Sequence, residues 1–171
     1  MRKNSGFTLI ELFVTMALMA ILAAFAVPNI MKWVPNYRLK SAVQDTFSNF
    51  QRAKLMAAKR NITCTIIFNQ PIDDKTYDYV VFLDPNNNLE YDNDEDVIAK
   101  VNLKEKYKGS VDTENITFQD NVVAFRPNGL PRNKGNGLGM GTVSLKNTNG
   151  RITDIILSSA GSVRIKVVLL K

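Results

Sequence analysis

Histidine is absent from the 171 residues. That removes Ser-His-Asp and Cys-His triads, imidazole general bases and histidine-bearing zinc or haem sites. Cysteine occurs once, at Cys64, so no disulfide can close within the chain and no cysteine cluster can hold a metal. These two shortages exclude most enzyme classes. What is present is 45% apolar and 22% charged residues, enough for one domain with a modest core and unlike a disordered chain.

The apolar residues are unevenly spread. Phe7 to Val27 reads FTLIELFVTMALMAILAAFAV, with Glu11 as its one charge. As a helix rising about 1.5 Å per residue, this run spans about 30 Å, the hydrocarbon thickness of a bilayer. Arg2 and Lys3 precede it, which predicts that this end stays cytoplasmic and the remainder is translocated. A cleaved secretory signal would use small residues such as Ala24 and Ala26, and a plain anchor would keep the whole chain. Neither accounts for Glu11, because a carboxylate inside a bilayer costs about 2.5–3.5 kcal/mol. No Lys or Arg lies in the run, so a partner is expected from elsewhere.

Ser5-Gly6-Phe7-Thr8-Leu9-Ile10-Glu11 resembles the processing site of type IV pilins and type II secretion pseudopilins. The resemblance implies that a prepilin peptidase cuts between Gly6 and Phe7 and that the new N-terminus, Phe7, is N-methylated. It also implies that Glu11 pairs with the N-terminal amine of a neighbouring subunit and sets filament register. Pro28 stands where pilin helices commonly carry a proline. A proline inside a helix removes one hydrogen bond and crowds the preceding turn, so a kink or local melting is expected at Pro28 and again at Pro35. Trp33 and Tyr37 suit either an aromatic belt at a membrane surface or packing on a head.

Between Tyr37 and Arg60, Leu39, Val43, Phe47, Phe50, Ala53 and Ala57 recur at spacings of three and four, which predicts a helix with one apolar stripe facing a sheet. Beyond Asn61 the period changes. Ile62, Cys64, Ile66 and Phe68 alternate onto one strand face, and this makes Cys64 a small buried hydrophobe. Further strands are expected at Tyr77–Leu83, Val97–Leu103, Ile116–Phe125, Thr142–Leu145, Ile152–Ser158 and Val163–Leu169. The fold class is α+β: a long N-terminal helix, with a membrane-embedded half and an amphipathic half, packed on an antiparallel β-sheet head. The expected boundaries are 1–6 leader, 7–27 membrane and filament-core helix, 28–60 amphipathic half and 61–171 head.

Val123-Ala124-Phe125-Arg126-Pro127-Asn128-Gly129, Gly141-Thr142-Val143-Ser144-Leu145 and Ser158-Ser159-Ala160-Gly161-Ser162-Val163-Arg164 resemble the GspH/FimT head of minor pilins. Gly129 and Gly161 are expected to supply turn conformations that other residues resist. The resemblance implies a minor pilin or pseudopilin near the tip of a type IV pilus or a type II secretion pseudopilus. Its head would lie outside the cytoplasm, anchored in the inner membrane before assembly. The implied partners are prepilin peptidase and other pilins.

Charge is polarised along the chain. Residues 61–99 hold nine acidic groups against Lys75, whereas residues 100–171 hold twelve basic groups against five acidic. In the acidic segment Asp84, Asn86, Asn88, Asp92 and Glu95 fall at oxygen-ligand positions of an EF-hand loop, so calcium is a candidate ion. Leu89 departs from that loop, standing where it requires glycine. The other reading is a solvated acidic hairpin tip. In the basic third, Arg126, Arg132, Lys134, Arg151, Arg164 and Lys166 are candidate DNA contacts, because phosphate binding needs only clustered cations. FimT-like minor pilins of competent bacteria act as DNA receptors, and the resemblance extends that reading to this chain. A solubilising surface or an acidic filament neighbour explains the same charges. An enzyme would have to rely on Asp73, Asp74, Asp78 or Asp84, which sit in turn-like surroundings. Gly135 to Gly141 lacks the Lys-Ser/Thr of a phosphate loop, so no catalytic residue is assigned.

Overall fold

The computed structural model describes residues 7–72 and 74–168. Helix α1 runs from Leu9 to Arg60 without interruption. The chain divides into two compact units, Met1–Val34 and Pro35–Lys171. In the first, every residue from Phe7 to Trp33 is exposed, and its helix is long and apolar enough to cross a membrane. Helical structure continues through Pro28 and Pro35, so the expected local melting is not seen. Each proline still lacks an N–H, which leaves the carbonyls of Ala24 and Met31 without their usual helical donor.

In the second unit the helical stripe is buried as its spacing predicts. Leu39, Val43, Phe50, Ala53 and Ala57 are joined by Ala42 and Thr46, while Phe47 packs at the margin. Thr46 Oγ1 donates to the Ala42 carbonyl at 2.9 Å, which satisfies the one polar group in the stripe.

Two antiparallel sheets receive that face. The first orders β3-β2-β1-β5-β6, from Val97–Val101, Lys75–Asp84, Thr63–Ile72, Val122–Phe125 and Pro131–Arg132. The second orders β4-β7-β8-β9, from Val111–Ile116, Gly141–Asn147, Ile152–Leu157 and Val163–Val168. The alternation in β1 holds: Cys64, Ile66 and Phe68 are buried in the main core and Ile62 packs against it. Phe50 of the helix sits among Phe68, Phe118 and Phe125, with ring centroids 6.1–6.5 Å apart.

Two expected elements differ, and β4 and the short β6 are additional to those expected. The strand anticipated over Ile116–Phe125 is broken, because a 3-10 turn at Gln119–Asn121 places Asp120 and Asn121 at φ 55 and 53. Val97–Leu103 ends at Val101, where Asn102 caps a short helix α2, Leu103–Lys106, by accepting from the Glu105 N–H. β4 was not anticipated, since Val111-Asp112-Thr113-Glu114-Asn115-Ile116 carries too few apolar residues to show alternation. Leu169, Leu170 and Lys171 lie outside the described residues, and β9 ends at Val168.

Candidate functional site

Glu11 stands in the first turn of α1 and is bound locally. Its Oε2 accepts from the Thr8 N–H and the Thr8 hydroxyl, both at 3.2 Å, and its own N–H donates to Thr8 Oγ1 at 3.3 Å. Thr8 and Glu11 thus form a reciprocal capping box, and the carboxylate also complements the positive end of the helix dipole. Thr8 supplies hydrogen bonds, but no cation among the described residues pairs with Glu11. Phe7 is exposed beside it, and Gly6 lies outside the described residues.

The acidic segment is more ordered than a solvated tip. Asp84 is fully buried and spends its carboxylate on Thr65 Oγ1 at 3.0 Å and on the N–H groups of Asn88 and Leu89 at 3.2 and 3.0 Å. Leu89 adopts φ 60, the left-handed conformation that glycine gives an EF-hand loop, and it is 2% exposed. Its burial against Val122 and Ala124 offsets that backbone cost. Tyr91 meets Phe82 edge-on at 5.4 Å, so the loop covers the outer face of the first sheet. Asp92 Oδ2 accepts from the amides of Asn86 and Asn88. Glu95 Oε2 accepts from the Asp92 N–H at 3.0 Å, while its Oε1 is buried with no partner. Burial, together with the charges of Asp84, Asp92 and Asp94, pushes the Glu95 carboxyl above its ordinary value. Among the described residues no three carboxylate or thiol groups converge as a metal cluster, so an ion here would rely on the asparagine oxygens as well.

The candidate DNA contacts are distributed over the head. Arg126 and Arg132 share one surface recess. Lys134 is paired with Glu90. Arg164 and Lys166 lie on one exposed face of β9, where Lys166 is opposite Asp154. Arg151 precedes β8, whereas the closing turn Ser158–Ser162 follows it. Six strand residues separate the two ends, about 20 Å at ~3.3 Å per residue. Between those ends the β8–β9 register places Lys166 opposite Asp154 and Arg164 opposite Ile156.

The family-like turns do come together. Gly129 and Gly161 adopt φ 78 and 75, and a Cβ on Gly161 would fall 2.6 Å from the Gly129 carbonyl. Lys54 Nζ donates to the Gly161 carbonyl at 2.9 Å. Sequence reading passes over Lys54. Its one signal is its place beside Ala53, four residues after Phe50, at the margin of the buried stripe.

The acids that an enzyme would use are structural where they are described. Asp78 accepts from the Leu103 N–H at 2.7 Å and from Thr113 Oγ1 at 2.9 Å, which ties β2 to α2 and β4. Asp74 is a left-handed turn residue, and Asp73 lies outside the described residues. In the glycine tract, Gly139 and Gly141 allow close approach to the Arg132 backbone and the Phe118 ring. Cys64 is fully buried, and burial with the charge of Asp84 pushes its thiol up to about 12.

Comparison with known proteins agrees with this anatomy. The sequence model of the family described as type II transport protein GspH matches residues 42–161. That of the prokaryotic N-terminal methylation motif matches residues 1–27. No curated protein and no solved structure matches the chain. With the head matched over well more than half of the chain and the methylation motif at its start, this protein belongs to the GspH family of pseudopilins and minor pilins.

Proposed function

We propose that the chain is made as a membrane-anchored precursor, cut by prepilin peptidase between Gly6 and Phe7, methylated on Phe7, and inserted near the tip of a filament. Its work is assembly rather than chemistry. The observation that carries the reading is the uncovered apolar run from Phe7 to Trp33, helical from Leu9 and holding one carboxylate, Glu11, in the first turn of that helix. Such a surface is stable in lipid or in a bundle of like helices and unstable in water. Within a bundle, the N-terminal amine of a neighbour would supply the cation that Glu11 lacks in the described chain.

The test is recruitment. Wild-type and Glu11→Ala chains are expressed in a strain lacking the native copy, and sheared filaments are probed for each. The wild type enters filaments, whereas the variant stays in the membrane fraction with a folded head. Equal recruitment of both would remove the role given to Glu11.

For the acidic loop, the proposed ion is calcium, held by oxygens of Asn86, Asn88, Asp92 and Glu95 beside the buried Asp84. The orphaned Oε1 of Glu95 supports this, since a hard cation takes oxygen ligands and relieves crowded carboxylates.

A further inference from the structure

Pro127 and the loops around β5 and β6 enclose a surface recess of about 470 Å³. Its polar lining is Thr63, Asn87, Asn128, Asn136, Arg126 and Arg132, with no carboxylate. Among the described residues the two arginines have no ionic partner. All five ion pairs among the described residues join a lysine to a carboxylate. Asp84, the acid that pulls on Arg132, is fully buried with its oxygens taken by Thr65, Asn88 and Leu89.

The side-chain amide oxygens in the recess are also engaged. Asn87 Oδ1 accepts from Thr63 and Arg132, Asn128 Oδ1 from the Leu130 N–H, and Asn136 Oδ1 from Arg126. Each guanidinium makes its hydrogen bonds through Nη2 alone. A guanidinium has five N–H donors and a side-chain amide two, so the recess holds a surplus of side-chain donors. Burial, and the charge of Arg126 against the pull of Asp84, hold the Arg132 guanidinium below its ordinary value. It stays cationic at neutral pH.

We infer that this recess is a phosphate-binding site, in which Arg126 and Arg132 bracket one phosphate group and the asparagine amides donate to its remaining oxygens. A phosphate offers more acceptor oxygens and more charge than a carboxylate, and planar guanidiniums bind it in bidentate fashion. The phosphate can come from a nucleic-acid backbone or from a free or terminal phosphate. The site lies wholly in the head, so it stands or falls separately from filament assembly.

The experiment titrates inorganic phosphate into the full chain in detergent at low salt, by calorimetry, with acetate as the comparison anion. Saturable phosphate binding is expected, weakened about tenfold or more in Arg126→Gln and in Arg132→Gln. Asn128→Asp is the variant that keeps the fold, because its carboxylate still accepts from the Leu130 N–H while placing an anion in the recess. It too is expected to lose phosphate. A labelled DNA duplex then separates the sources. If it competes with phosphate and weakens in the same variants, the phosphate belongs to nucleic acid; if only inorganic phosphate binds, the site takes free or terminal phosphate. An absence of saturation, equal binding by acetate, or binding unchanged in all three variants would overturn the inference.

Discussion

Lys54 and Gly161 are joined by a hydrogen bond of 2.9 Å between the Lys54 ammonium and the Gly161 carbonyl. The contact ties the long helix to the turn that leads into the last strand. Beside it, the Gly129 turn comes so close that a methyl group on Gly129 would lie 3.0 Å from Lys54 Cε. The three elements lock one another, so Gly161→Ala is expected to cost more than Lys54→Met. Losing the bond alone costs about 1–3 kcal/mol, because the Gly161 carbonyl forfeits a charged donor. Adding Cβ imposes strain at φ 75 and a clash with the Gly129 carbonyl. Urea denaturation of both variants checks the order.

The capping box gives Glu11 two separable jobs. Glu11→Gln keeps an acceptor for the Thr8 N–H and removes the charge, whereas Glu11→Ala removes both. If the charge drives recruitment, Gln fails as completely as Ala in the sheared-filament assay. Recruitment restored by Gln would reduce Glu11 to a helix cap.

Calcium and Glu95 are linked in sign. In chelator, Glu95→Gln is expected to raise the thermal midpoint at neutral pH. Burial and the charges of Asp84, Asp92 and Asp94 make ionising Glu95 costly in the folded state. With added calcium the wild type gains stability and Glu95→Gln gains less. A wild-type midpoint indifferent to calcium would rule the ion out of the loop.

Acid should act on Asp45 in the opposite sense. Burial raises its carboxyl, but hydrogen bonds from Lys106 and Tyr107 and the Lys106 charge outweigh this and leave it below the ordinary 3.8. Its contribution is therefore complete above that value and lost as pH falls through the lowered one. In Asp45→Asn the midpoint should fall less steeply over the same acidic range. Parallel pH profiles for the two proteins would refute the assignment.

Cys64 is predicted to resist thiol reagents in the native protein at neutral pH, since it is buried and its thiol is pushed up to about 12. Labelling should appear only as urea unfolds the head. Rapid labelling of the native chain would contradict its place in the core.

The helix and most strands are legible from residue spacing because a single face of each is buried. Leu39 to Ala57 shows this plainly, whereas in β1 the apolar alternation of Cys64, Ile66 and Phe68 is readable although Thr65 on the other face is buried as well. Elsewhere spacing fails where both faces are covered or neither is. Val80 and Phe82 are buried on the outer side of β2, under the acidic loop, so the loop reads as solvated until its Leu89 is seen packed. β4 is polar and left no pattern. The basic residues were countable in sequence. Their grouping depends on turns joined through Lys54, Gly129 and Gly161, which no local period encodes.

The central claim is that the mature chain begins at a methylated Phe7, and intact-mass spectrometry of the chain recovered from filaments tests it most directly. The account predicts a mass reduced by Met1–Gly6 and increased by one methyl group, with the methyl on Phe7. A full-length mass, or a terminus beyond Ala24 or Ala26 as a secretory signal would leave, would contradict it.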